Sequence, residues 1–412
     1  MLLALGAAAM AQADVPGLLK QGMAARQRGD DDAAIYYLSA AIAAGVLRPN
    51  DLATVLASRG VAYDNKGQTD AAIADFTAAL ELKPDFGDAY IDRGLSWTKK
   101  HEYDRAIAEF TQASNVDPAH AFLALNDRGN AYDEKGDFEK AIADYSESIR
   151  LRPDYATAYY NRANSHNALE ETEKAIADLD AAIAINPSYA GAYINRGGIF
   201  LIKGETRSAI ADFDTVLRLA PTSALALNDR GSAYLLLGEY DRALDDFDEV
   251  VRLQPHKAWA FGNRGIARFY SGRTEAGIAD LVTAADLSPS DALILIWLHF
   301  VRTRMGQDDV NDLAARAAEI DRTKWPGAVI DLYLGIVSPE VVRAAILSGE
   351  NRSVQRRRIC EINFYLATFY LQRGAPEART NLNDAVSNCS PGSIELAAAK
   401  AELHGFEAKR RN

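Results

Sequence analysis

Seven arginines recur along the chain, Arg59, Arg93, Arg128, Arg162, Arg196, Arg230 and Arg264, and sixteen residues after each stands an acid: Asp75, Glu109, Asp144, Asp178, Asp212, Asp246 and Asp280. Two chemistries fit such a set. A row of guanidinium groups can cradle phosphates, and a planar guanidinium fork can hold both oxygens of a carboxylate. The flanking sequence separates the two. Gln21 and Tyr37 fill the corresponding places before the set, Leu298 and Ala314 those after it, so both charges vanish together. Arg128 with Asp144, Arg162 with Asp178 and Arg196 with Asp212 are therefore read as structural ion pairs, formed within a unit or between neighbouring ones. Cys360 and Cys389 are a second reactive pair. They lie 14 residues before and 15 after the turn glycine Gly374, so antiparallel helices would set them level and an oxidising compartment would join them in a disulfide.

Other chemistry is not signalled. The six histidines are scattered without metal-ligand spacing. G-x-G-x-x-G, Walker, H-E-x-x-H, G-x-S-x-G and paired-cysteine metal motifs are missing, so no catalytic residue, cofactor or metal is expected and the chain reads as a non-enzyme. In its 412 residues acids outnumber bases 57 to 45, for a net charge of −12. That balance argues against nucleic acid as a partner. A hydrophobic fraction of 48% excludes a wholly disordered chain, and no apolar run reaches membrane-spanning length.

The elements that carry these residues repeat. Pro84, Pro118, Pro153, Pro187, Pro221, Pro255 and Pro289 are spaced by 34 or 35 residues. Twelve residues before each lies a small residue (Ala72, Ala106, Ala141, Ala175, Ala209, Ala243, Gly277), and eight before each a large one (Phe76, Phe110, Tyr145, Leu179, Phe213, Phe247, Leu281). Small then large, four apart, marks one helix face. Gly60, Gly94, Gly129, Gly197, Gly231 and Gly265 recur inside the other helix, where glycine costs about 1 kcal/mol against alanine, so the partner helix is expected to pack too closely for a side chain.

This pattern resembles the tetratricopeptide repeat (TPR) family. The resemblance implies an all-α fold: a right-handed superhelix, an α-solenoid of antiparallel helix pairs, closed by a divergent C-terminal helical cap. The expected organisation is a signal peptide over 1–13, a divergent first repeat over 14–52, seven repeats over 53–290, a degenerate repeat over 291–323 and a capping segment over 324–412. The family's concave surface implies a partner-binding groove. Its polar part would comprise Asn126, Asn130, Tyr160, Asn161, Asn164, Asn195 and Asn263, since asparagine both donates to and accepts from a peptide backbone. Its apolar part would include Leu235 and Phe269. Inter-helix hydrogen bonding of the asparagines and burial of the apolar set under later helices are the competing readings.

Leu2 to Met10 is nearly all apolar, and Ala11-Gln12-Ala13 offers a small-x-small cleavage pattern, so export to a periplasmic or secreted location is expected, with a mature chain that is soluble. A retained leader would instead place the protein in the cytoplasm, as a regulatory or targeting subunit of an enzyme complex. Residues 325–403 resemble the C-terminal part of NlpI-type periplasmic repeat lipoproteins through a tryptophan, "YLG", "SPE", "FY" and "LQRG". That resemblance implies a scaffold for cell-wall hydrolases and a processing protease. The leading expectation is an adaptor that holds extended or helical segments of other proteins.

Overall fold

The computed structural model describes residues 14–345 and 352–411 and is all α-helical there, with 23 α-helices and one short 3-10 turn. The expected signal segment, 1–13, lies outside the described residues. Among the described residues no helix is long and apolar enough to cross a membrane.

The chain forms two compact units, divided after Pro187. The first contains five antiparallel helix pairs: Val15–Gln27 with Asp31–Ala43, Pro49–Asn65 with Thr69–Leu82, Gly87–Lys99 with Tyr103–Val116, Ala121–Glu134 with Phe138–Leu151, and Ala156–Ala168 with Thr172–Ile185. The second opens with three more, Ala190–Lys203 with Thr206–Leu219, Ala224–Leu236 with Tyr240–Leu253, and Ala258–Tyr270 with Thr274–Leu287. There the repeat ends. Ala292–Arg304 is followed by the short helices Val310–Arg316, Gly327–Tyr333 and Pro339–Ala344, then by the pair Arg352–Gln372 with Glu377–Asn388 and by a last helix, Ile394–Arg411.

Close approach explains the recurring glycine. A Cβ placed on Gly129 would stand 2.6 Å from the Tyr145 ring, and one on Gly197 would stand 2.7 Å from the Phe213 ring. The large residue of each second helix thus lies flat on the backbone of the first. Its burial offsets the helix cost of glycine, since removing a full aromatic side chain from water is worth about 2 to 3 kcal/mol.

The cores of the two units differ. In the first unit they are small local clusters, such as Ala72, Phe76 and Ala79 with Ala53, Leu56 and Ala89. The second keeps one such small cluster, Leu227, Val250 and Ala260, beside a long continuous one that runs from Tyr234 and Leu235 through Trp297, Phe300, Phe364 and Tyr365 to Leu396 and Ala399. Cys360 and Cys389 are joined in a disulfide within it, pinning Glu377–Asn388 to Arg352–Gln372.

Candidate binding surfaces of the repeats

Each ladder arginine sits on the first helix of a pair and its acid on the second, so the hairpin sets them opposite. Arg162 donates from Nε and Nη2 to the two Asp178 oxygens at 2.8 and 2.6 Å. Arg128 holds Asp144 at 2.7 and 2.6 Å, and Arg196 holds Asp212 at 2.9 and 2.6 Å. Arg59, Arg230 and Arg264 fork in the same way. The pairs lie within one repeat, and the third guanidinium nitrogen ties that repeat to the one before it. Arg93 Nη1 donates to Thr77, Arg128 Nη1 to Thr111, Arg162 Nη1 to Ser146, Arg230 Nη1 to Asp214 and Arg264 Nη1 to Asp248. These acceptors were missed in the sequence, although each lies two residues after a ladder acid. Glu109 is the exception among the acids. Its extra methylene leaves a single bond from Arg93 Nη2, at 2.8 Å, and Arg93 Nε is buried without a partner.

The asparagines of the first unit form an amide clasp between neighbouring first helices. Asn161 Nδ2 donates to Asn126 Oδ1 at 3.1 Å and to Asn130 Oδ1 at 3.0 Å, and Tyr145 Oη donates to Asn130 Oδ1 at 2.8 Å. Asn263 donates in the same way to Asn228 in the second unit, at 2.8 Å. Asn126 is therefore corrected from a groove residue to an internal one: it is 2% exposed, and its amide is spent on Asn161 and Asp127. Tyr160, Asn161, Asn164, Asn195 and Asn263 remain half-buried on their first helices.

Beside the clasp the first unit opens a cavity of about 380 Å³ whose lining includes Arg26, Ser58, Phe86, Asp88, Ile91 and Asp92. Asp92 has no hydrogen bond or ion pair to its carboxylate among the described residues. Burial, reinforced by the Asp88, Asp64 and Asp127 carboxylates and opposed by Arg26, pushes it up to about 6. Burial also pushes Asp127 up to about 6, against the pull of the Asn126 amide.

The inner positions of the second unit are covered. Leu235 is 5% exposed, and Phe269 packs edge-on to Tyr270 and Phe300 at the margin of the core. Leu235 is corrected from a free groove residue because the last helix, Ile394–Arg411, packs on Ala224–Leu236 and covers it, whereas Phe269 stays half-buried against Ala292–Arg304. Arg304 Nη2 reaches Glu402 Oε2 at 2.9 Å, and a cavity of about 390 Å³ remains between Leu235, Tyr240 and Tyr270 on one side and Ala397, Lys400 and His404 on the other.

The sequence matches the tetratricopeptide repeat family over residues 58–119 and 199–258, again over 156–189, and the TPR repeat family over 129–169. This is a tetratricopeptide-repeat protein. Among solved structures it is similar to YrrB, described as a TPR protein with an unusual peptide-binding site, at 24% identity over 44% of this chain and 92% of that one, with a TM-score of 0.37. A tetratricopeptide repeat protein from Parabacteroides merdae shares 19% identity over 60% and 98%, with a TM-score of 0.45. Pseudomonas aeruginosa pilF shares 18% over 50% and 94%, also with 0.45. These likenesses concern the repeat fold. In this TPR protein, as in the repeat pattern itself, the aromatic residues and the glycines serve helix packing. Among the described residues no group of three or more His, Cys, Asp or Glu is arranged to hold a metal ion.

Proposed function

We propose that this TPR protein is an exported, non-enzymatic adaptor that holds an extended, donor-rich segment of a partner protein against the inner face of its first unit. Its repeats support a protein-interaction scaffold. The observation that carries the reading is Asp92, a half-buried carboxylate without a hydrogen bond or ion pair on the wall of an open cavity, with Asp127, which accepts from the Asn126 amide, near enough to repel it. A lysine or arginine entering there would supply the missing counter-charge, and Asn161, Asn164 and Tyr160 on the next first helix would meet backbone groups. The Cys360–Cys389 disulfide suits an oxidising location, in keeping with the apolar leader. Cell-wall hydrolases or a protease as partners rest on the sequence resemblance of residues 325–403 alone.

A pull-down from the exported fraction identifies the partner. The Asp92→Asn/Asp127→Asn double variant is then expected to bind it about tenfold more weakly or worse, with thermal unfolding unchanged or raised, because charge complementarity is lost while a desolvation cost is relieved. Unchanged affinity would remove the first unit from the binding reaction.

A further inference from the structure

We infer that the last helix, Ile394–Arg411, is a releasable plug: it occupies the inner face of the second unit, and an amphipathic partner helix carrying small residues and one acid displaces it. This rests on different residues from the first-unit reading and stands or falls separately.

The position of the helix is that of a ligand. Its approach begins where Pro391 lies on Gly204 and Gly392 on Leu201, so close that a Cβ on Gly392 would stand 3.1 Å from the Leu201 Cβ. It then faces Leu235 and Leu236 of Ala224–Leu236 and Tyr270 of Ala258–Tyr270, and ends its contact at Arg304 of Ala292–Arg304. Four successive first helices are thus crossed by one segment. The same helix also packs on the final pair, Arg352–Gln372 with Glu377–Asn388, so it seals the end of the stack as well as this face.

Its chemistry is that of a modest binder. Toward the first helices it offers the small side chains of Ala397 and Ala401, so little apolar area leaves water on that side, while Leu396, Ala398 and Ala399 belong to the core. Glu402, 6% exposed, has its charge met by Arg304, and a buried ion pair adds little net stability because desolvation offsets the attraction. The fit is also incomplete: the 390 Å³ cavity persists beneath it, and Tyr270 Oη is buried without a hydrogen-bond partner. A partner helix with the same small face, an acid for Arg304 and a polar group for Tyr270 would meet needs that the plug leaves unmet. A pivot is available as well. Ser390 and Pro391 are exposed, while Cys389 just before them is fixed by the disulfide to Cys360, so release of the plug leaves the preceding helix pair anchored.

The test uses the full chain and a fluorescent peptide with the sequence of residues 392–411. Ala397, half-buried on the plug where it faces Leu235 and Tyr270, is changed by Ala397→Glu, which disfavours docking and leaves every groove residue intact. The variant is expected to bind the peptide at least about tenfold tighter than the unchanged chain, and Arg304→Ala added to it is expected to reduce that binding about fivefold or more. Equal binding by the variant and the unchanged chain would overturn the proposal. Hydrogen exchange of the unchanged chain gives a second reading that does not depend on the variant folding. Amides of residues 395–406 should exchange about a hundredfold faster than those of Ala258–Tyr270, whereas exchange in step with that helix would mark the segment as core and overturn the plug.

Discussion

The two units are built from the same helix pair and the same arginine ladder, yet one leaves its inner face open and the other covers it. In the first unit the inner positions carry Asp92, Asp127, Asn161 and Asn167, whose polar atoms water or a partner can satisfy. At the place that Asn167 holds, the second unit carries Leu201, Leu235 and Phe269, while the counterparts of Asp92, Asp127 and Asn161 stay polar as Asn195, Asp229 and Asn263; an apolar row of this kind favours cover by another helix. The fold answers with its own helix, and from Tyr234 onward a long continuous core takes the place of most local clusters. A repeat frame therefore fixes where side chains point, and the few inner residues decide whether that face meets solvent, a partner or the rest of the chain.

The largest effect should come from exchanging one inner position between the units. Leu235 and Asn167 occupy the same place in their repeats, the first buried and the second exposed. Leu235→Asn removes apolar burial and puts an amide against the last helix, so a loss of about 3 to 4 kcal/mol is expected in denaturant unfolding. Asn167→Leu should change stability by less than about 0.5 kcal/mol. Similar losses at both positions would break the comparison, since both faces would then be equally buried.

The ladder should behave alike in both units. Arg162→Ala and Arg230→Ala each leave a buried carboxylate, Asp178 or Asp246, without its fork, at an expected cost of about 2 to 3 kcal/mol. Asp178→Asn added to Arg162→Ala, or Asp246→Asn added to Arg230→Ala, should recover part of that loss. Additive losses in either cycle would deny a direct pair there, and a clear difference between the cycles would extend the contrast between units to their frame.

Much of this was legible in the sequence where a pattern repeated. The helix pairs and the arginine–acid partnership recur often enough for the flanking units to serve as controls, and the nearly equal distances of Cys360 and Cys389 from Gly374 set them level. Residue type alone was not enough elsewhere. Asn126 offers the same donor and acceptor to a peptide as to Asn161, so its role depended on the spacing of neighbouring helices. The cover over Leu235 was hidden because the helix that supplies it lies far along the chain and is rich in alanine, with no repeat pattern pointing to a groove. The reach of each arginine to the preceding repeat was visible in principle through Thr77, Thr111, Ser146, Asp214 and Asp248, but the position changes from hydroxyls in the earlier repeats to acids in the later ones, which blurs the period.

The smallest expected effect is a pH dependence that separates the plug from the repeats. Glu395 is only partly buried as a residue, yet burial of its carboxyl, with Glu361 adding repulsion, pushes it up to about 7, against the hydrogen bond from Tyr365 Oη at 3.3 Å and the attraction of Arg357. Tyr270, on the groove side, also lies in the field of Glu395. A carboxyl whose value is raised on docking binds its proton more tightly when docked, so its favourable contribution is complete below the ordinary glutamate value and is lost as pH rises through about 7. Docking of Ile394–Arg411 should thus weaken by about 1 to 2 kcal/mol between pH 5 and pH 8, read as faster hydrogen exchange of residues 395–406 after correction for the intrinsic rate. Glu395→Gln should flatten that change while leaving the exchange of Ala121–Glu134 in the first unit as it was. A plug held more tightly at pH 8 than at pH 5 would reverse the sign and show that the carboxyl of Glu395 is met by positive charge when docked.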